Sequence, residues 1–294
     1  MSNLNIFQYN RSLFLSGHAS GAIRYLSIGR FRWLKIIVIV YLTLGIVFYF
    51  LQDKFLFHPA PLPADYAYHF DRPFSEVNIP INKNEIINLV KFFPKDSVRK
   101  GVVLFFHGNM ENINRYAKFA DIFTNKGYEV WMPDYPGFGK STGELTEKKL
   151  YQVASLTYTL ANAKYTKDNI VIYGKSLGTG IASQLASVNN CRVLILETPY
   201  YSIPDLFSYY VPLYPTGILS KYKIPVYEYL HKVKAHVIIF HGTADEVIPY
   251  RCAVKLKSAL KETDEFISIP GGQHNNLNNF DVVQKKINTL PAIN

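Results

Sequence analysis

A serine set between two glycines, Gly174-Lys175-Ser176-Leu177-Gly178, separates a short apolar run (Asn169 to Tyr173) from a run of small residues, Thr179-Gly180-Ile181-Ala182-Ser183. The first run reads as a buried strand and the second as the start of a helix, so five residues must turn the chain sharply between them. A serine in such a turn sits at a strained backbone angle that lifts its Oγ above the sheet. Side chains two residues to either side would collide with the strand or the helix, and Gly174 and Gly178 remove them. The pattern alone is weak in a chain with 17 glycines. Its weight comes from its place between strand and helix and from the acidic and histidine residues further along the chain.

Strand and helix signals alternate around it. Val77 to Ile81 and Ile86 to Phe93 read as an antiparallel hairpin across Asn82-Lys83-Asn84-Glu85. Buried-type strands come next at Gly101 to Phe106 and Glu129 to Met132, separated by a helical segment near 111–126. A second helical segment at about 146–163 leads into the strand before Ser176. Further apolar strands lie at Val193 to Leu196, Val237 to Phe240 and Phe266 to Ile269. This alternation predicts an α/β fold: one mostly parallel central sheet flanked by helices. At 294 residues the chain is long enough for a sizeable core.

Ahead of this domain, Ile36 to Leu51 run sixteen residues without a charge, and adding Trp33 and Leu34 brings the stretch close to bilayer length. The run shows no amphipathic period, its aromatics Trp33, Tyr49 and Phe50 sit near its ends, and it is not succeeded by a small-residue cleavage site. An uncleaved transmembrane helix over 33–51 is therefore expected. Residues 1–35 hold five basic residues and no acid, while the rest has 27 Lys and Arg against 22 Asp and Glu. Half of the net charge of +10 thus lies in the first 35 residues, four of those five charges in a basic arm (1–32). There it sets topology and does not grip nucleic acid: N-terminus cytoplasmic, catalytic domain across the membrane. Prolines at 59, 61, 63 and 73 mark 52–75 as a linker, leaving 76–294 for the α/β domain.

In open parallel sheets, sites form at the C-terminal strand edges. Ser176 lies at one such edge. Others open into His107-Gly108-Asn109-Met110, Asp134 to Ser141, Glu197 to Tyr200, His241 to Asp245 and Gly271 to His274. A serine that attacks an acyl carbon needs a base to take its proton and a carboxylate to orient that base. His274 is the only histidine beyond the final strand, and Asp245 lies between Ser176 and His274 at a strand end. Glu197 and Glu246 stay open as alternative acids. His107 and His241 each precede a glycine and read as loop-holding residues. The oxyanion of acyl transfer needs two fixed N–H donors, assigned to Leu177 and Asn109, with Met110 as the alternative to the latter. The histidines and carboxylates show no metal-ligand spacing, so neither metal nor cofactor is expected. Cys191 and Cys252 form no disulfide framework.

The His107-Gly108-Asn109 turn, the Asp134-Tyr135-Pro136-Gly137-Phe138-Gly139 turn, the elbow, the His241-Gly242-Thr243-Ala244-Asp245 turn and His274 together resemble the serine-aminopeptidase-like branch of the α/β-hydrolase superfamily. With Leu56-Phe57-His58-Pro59 after an apolar span, the chain is more closely similar to membrane-anchored members of that family. The resemblance covers most of residues 52–290. It implies an α/β-hydrolase fold and a Ser176-His274-Asp245 triad, and a substrate range of esters, lipids, thioesters or peptides. Asn276 stands where relatives commonly carry an aspartate.

Between Tyr200 and Leu230 lies an insert with eight tyrosines, one phenylalanine and four prolines, the expected cap (200–231). Aromatic faces with polar tips suit an acyl chain beside a wet headgroup. The expectation is a membrane-anchored serine hydrolase of acyl esters or thioesters, acting on small or lipid-like substrates. An aminopeptidase needs carboxylates for a substrate ammonium, and the insert offers only Asp205 and Glu228. A binding protein on the same scaffold would not need every triad position filled.

Overall fold

The computed structural model describes residues 19–96 and 99–289. Residues 1–18 of the expected basic arm lie outside the described residues. The chain divides after Phe50 into two units.

The first unit is carried by helix α1 (Ala19–Leu56), whose last turn enters the second unit. The most apolar window within its stretch Phe31–Leu56 has a mean hydropathy of 2.4, and only 6% of that window is buried. A core helix of a soluble domain would be covered along one face at least. By length and composition α1 is able to cross a bilayer, and it is the one such helix among the described residues.

The second unit is built on an eight-stranded sheet. Its strands are β1 (Phe74–Pro80), β2 (Ile86–Phe92), β3 (Gly101–Phe106), β4 (Tyr128–Pro133), β5 (Ile170–Lys175), β6 (Val193–Glu197), β7 (His236–Gly242) and β8 (Glu265–Ile269). Across the sheet the order is β8-β7-β6-β5-β3-β4-β2-β1. The expected hairpin β1–β2 is antiparallel, β2 meets β4 antiparallel, and every other pair is parallel. All residues of β3, β4, β5 and β6 are buried, which is why they read as continuous apolar runs without alternation. After β3 the chain moves to β4 on one side, then crosses back to β5 on the other. The crevice where the winding reverses therefore opens beside the C-terminal ends of β3 and β5.

Helix α2 (Glu147–Asn162) begins at the Thr146 cap, whose hydroxyl accepts from Lys149 N at 3.2 Å. Helix α3 (Leu177–Val188) begins directly after the elbow. The helical segment expected near 111–126 is broken into Ile113–Tyr116, a tighter 3-10 stretch Ala117–Ala120, and Asp121–Thr124. Its buried residues are Ile113, Tyr116, Ala117, Phe119, Ala120, Phe123 and Thr124.

Residues 52–75, expected as a linker, are packed onto the domain. Phe57 and Tyr68 are buried, and Tyr66 and Phe70 lie against the core. His58–Pro59 pairs in parallel with Met110–Glu111, and Leu62 N donates to Gly139 O at 2.7 Å. The prolines that suggested a linker suit this extended path, while the aromatics between them supply the burial. The insert between β6 and β7 folds as α4 (Ile203–Tyr210), α5 (Thr216–Leu219) and α6 (Val226–Leu230).

Candidate active site

Ser176 joins β5 to α3 with φ 52° and ψ −120°, a conformation that L-residues avoid at a cost of about 1–3 kcal/mol. Two close approaches enforce it. A Cβ on Gly174 would meet Gly178 O at 2.5 Å and Thr179 Cα at 2.6 Å, in α3. A Cβ on Gly178 would meet Phe106 O at 2.0 Å, in β3. Strand and helix are pressed together here, and the serine is what bends between them.

Three of the expected site residues meet at this point. His274 Nε2 lies 3.0 Å from Ser176 Oγ, and His274 Nδ1 lies 2.8 Å from Asp245 Oδ2. All three side chains belong to buried residues. Asp245 lies just beyond β7, and its Oδ1 accepts from the N–H groups of Val247 (2.9 Å) and Ile248 (2.8 Å). Burial alone would raise the Asp245 carboxyl. The hydrogen bond and charge of His274, the Ile248 N–H and His241 outweigh it and hold the group below the ordinary carboxylate range.

His274 stands in the turn after β8. Gln273 N donates to Asn276 Oδ1 at 2.8 Å, closing that turn. An amide oxygen thus makes the bond that an aspartate at 276 would make.

The remaining candidates separate. Glu246 is exposed, and its main-chain oxygen accepts from Tyr210 OH at 3.3 Å. His107 Nδ1 pairs with Gly108 O at 2.7 Å, and its Nε2 lies 3.2 Å from Asp134 Oδ1. His241 Nε2 pairs with Ile248 O at 2.9 Å. Both histidines hold loop backbone. Burial lowers the His241 imidazole against the charge of Asp245, and burial raises the Asp134 carboxyl against His107.

Gly108 passes so close to the nucleophile that a Cβ there would lie 3.4 Å from Ser176 Cβ. The next residue, Asn109, is tied down on both sides. Its amide donates to Leu56 O at 2.8 Å, and its carbonyl accepts from His58 N at 2.9 Å. Leu177 is the first residue of α3, where N–H groups have no acceptor within the helix. Met110 is exposed and pairs in register with His58.

One buried group of partners escaped sequence reasoning. Lys175 and Glu197 stand opposite each other in the parallel pair β5–β6, ion-paired and out of solvent. Tyr173 OH also donates to Glu197, and Lys175 Nζ reaches His274 O at 3.2 Å. The signal was present: Tyr173 and Lys175 share one face by strand alternation, and Glu197 ends the neighbouring strand. Cys191 and Cys252 are both free thiols.

A family model described as serine aminopeptidase, S33, matches residues 97–223. The chain is 30% identical over 183 residues to the α/β hydrolase domain-containing protein 17C of Xenopus tropicalis, covering 60% of this chain and 56% of that one. The match therefore spans little more than half the length of that relative. It is 25% identical over 263 residues to an uncharacterized protein of Mycobacterium tuberculosis, covering 85% of this chain and 91% of the other. Among solved structures, an esterase of Pyrococcus furiosus superposes with a TM-score of 0.61 at 15% identity, over 80% of this chain and 96% of that chain. At that identity the likeness is one of fold.

Proposed function

Because the chain belongs to the α/β-hydrolase superfamily, we propose that it is a membrane-anchored serine hydrolase that cleaves acyl esters or thioesters through an acyl-enzyme on Ser176. The observation that carries this reading is the line of contacts Asp245 Oδ2 to His274 Nδ1 (2.8 Å) and His274 Nε2 to Ser176 Oγ (3.0 Å), with the serine raised on a strained turn. Asp245, kept ionised, accepts from Nδ1–H and fixes the tautomer whose Nε2 is free to take a proton. Ser176 Oγ attacks the acyl carbon as its proton passes to Nε2, and the C=O π electrons move onto oxygen. The N–H groups of Leu177 and Asn109 receive that oxyanion. The imidazolium returns the proton to the leaving alcohol or thiol as the C–O or C–S bond breaks. Water then enters by the same route and releases the acid.

The apolar helix and its basic flank support a single-pass anchor with the N-terminus cytoplasmic and this domain on the far side. The insert supports an acyl substrate: Tyr200 OH donates to Leu177 O at 3.3 Å, and Tyr210 OH donates to Val247 O at 2.8 Å, near Asp245. It is less suited to a peptide amine. Asp205 is ion-paired with Lys255, and Glu228 accepts from Tyr227 OH at 2.9 Å.

The test is labelling of the full chain in detergent by a fluorophosphonate, with and without Ser176→Ala, and then turnover of p-nitrophenyl esters of graded length. Labelling of wild type alone, and kcat/KM rising with chain length, is expected. Labelling that survives Ser176→Ala would overturn the nucleophile. Efficient release of N-terminal residues from peptides with flat chain-length dependence would favour the aminopeptidase.

A further inference from the structure

The last turns of α1 carry an amide fully out of solvent. Gln52 is 0% exposed, its Nε2 donates to Leu219 O at 2.8 Å, and its Oε1 accepts from Lys221 N at 2.9 Å. One residue on, the Asp53 carboxylate accepts from Tyr222 OH (2.8 Å) and Lys221 Nζ (3.0 Å). Phe57 packs edge-on against Tyr222 with ring centres 4.9 Å apart. A buried glutamine satisfied at both ends by main chain leaves little freedom. The segment 219–222 is therefore held at a fixed height relative to residue 52.

That height is a matter of chain connectivity. The apolar run ends at Leu51, just before Gln52, and the first charges after it are Asp53 and Lys54. If the run spans the bilayer, the edge of the hydrocarbon falls close to Gln52, and segment 219–222 lies at headgroup depth. There the insert presents apolar surface to solvent. Ile218 is 81% exposed, Leu213 80% and Tyr210 52%, with Lys221 and Lys223 exposed beside them. A single exposed leucine needs no explanation. Exposed aliphatic side chains in the stretch that leads into this pinned segment, with an exposed tyrosine and two exposed lysines also within 210–223, have the chemistry of an interfacial contact.

The other side of the insert touches the site. Ile224 and Tyr200 close on Gly180 of α3, where a Cβ would meet them at 2.2 and 2.4 Å, and Tyr210 reaches the loop after Asp245. We propose that residues 210–223 seat on a lipid bilayer, with Leu213 and Ile218 at the boundary between headgroups and acyl chains, so that acyl substrates pass from the membrane into the site beneath the insert. This rests on the reading of α1 as a membrane span.

The test uses the full chain in phosphatidylcholine nanodiscs, carrying Cys191→Ser and Cys252→Ala, with an environment-sensitive fluorophore on Ile218→Cys. Quenching by nitroxide-bearing lipid and protection from iodide are expected. A label quenched by iodide and untouched by nitroxide lipid overturns the proposal. The paired variant Leu213→Ser with Ile218→Ser should lower kcat/KM about tenfold on a long-chain ester embedded in the bilayer and leave a short soluble ester unchanged. Equal effects on both substrates would also overturn it. Alkaline carbonate extraction separates the two readings. Release of the protein would remove the anchor and this inference with it, whereas retention with an iodide-accessible label defeats this inference alone.

Discussion

Lys175 and Glu197 face each other across β5 and β6 as a buried ion pair, and the lysine also reaches the carbonyl of His274. This arrangement favours Asp245 over Glu197 for the proposed role of acid. Glu197 is occupied by Lys175 and Tyr173, while Asp245 holds His274 Nδ1. Asp245→Asn should lower kcat about 10⁴-fold with the fold intact, because the imidazole then adopts the wrong tautomer. Glu197→Gln should act on stability, by about 3–5 kcal/mol, since it leaves a buried ammonium uncompensated. Denaturant midpoints beside kcat on the folded fraction distinguish them. A crippled but stable Glu197→Gln, with Asp245→Asn nearly silent, would reverse the assignment.

The elbow gives a steric prediction. Gly178→Ala places a methyl 2.0 Å from Phe106 O, a backbone atom with no room to move. Loss of about 1–3 kcal/mol or more, together with loss of fluorophosphonate labelling, is expected. Gly217→Ala meets nothing within 4 Å and lies in α5. It should leave stability unchanged or raise it by up to about 1 kcal/mol. Equal behaviour of the two variants would contradict the packing of β3 against α3.

Stability should decline on mild acidification. Burial holds His241 below its ordinary value, so the folded chain keeps it neutral while the unfolded chain takes up a proton. The unfolded state binds more protons, and stability falls as pH drops below about 6.5 until the folded-state value is passed. Asp245 is also held low, so its contribution is complete above its unfolded value of about 4 and is lost as pH falls through the folded one. The unfolding midpoint, monitored by the fluorescence of the core residue Trp131, should be lower at about pH 5 than at about pH 7.5. A flat profile would refute the neutral His241.

The proposed topology is open to a direct check. A phosphatase that folds only after export, fused after Asn294, should be active, and a reporter that works only in the cytoplasm should be silent there. The opposite pair of results would put the catalytic domain on the cytoplasmic side.

Much of this architecture is legible in the sequence because buried parallel strands read as uninterrupted apolar runs, and Gly-containing turns mark their ends. Ser176, Asp245 and His274 are visible as neighbours for that reason: each comes just after a strand whose place in the sheet the alternation already suggests. Sequence reasoning fails where burial is achieved by side chains spread along an irregular path. Tyr66, Tyr68 and Phe70 alternate as a strand's side chains would, but over only five residues, so the prolines around them dominate and the stretch passes for a linker. The clamp of Gln52 on Leu219 and Lys221 joins residues more than 160 positions apart, and nothing local announces it.

The amide of Asn109 ends on the carbonyl of Leu56, the final residue of α1. The visible end of that helix is therefore the wrong place to sever the domain from its proposed anchor. A shortened protein beginning at Phe57 would leave the Asn109 amide without its acceptor one residue from the glycine that touches Ser176. It would also strip the insert of Gln52 and Asp53. Cutting at Leu51 keeps all three. The apolar helix and the α/β domain share one and a half turns of helix, and those turns travel with the site.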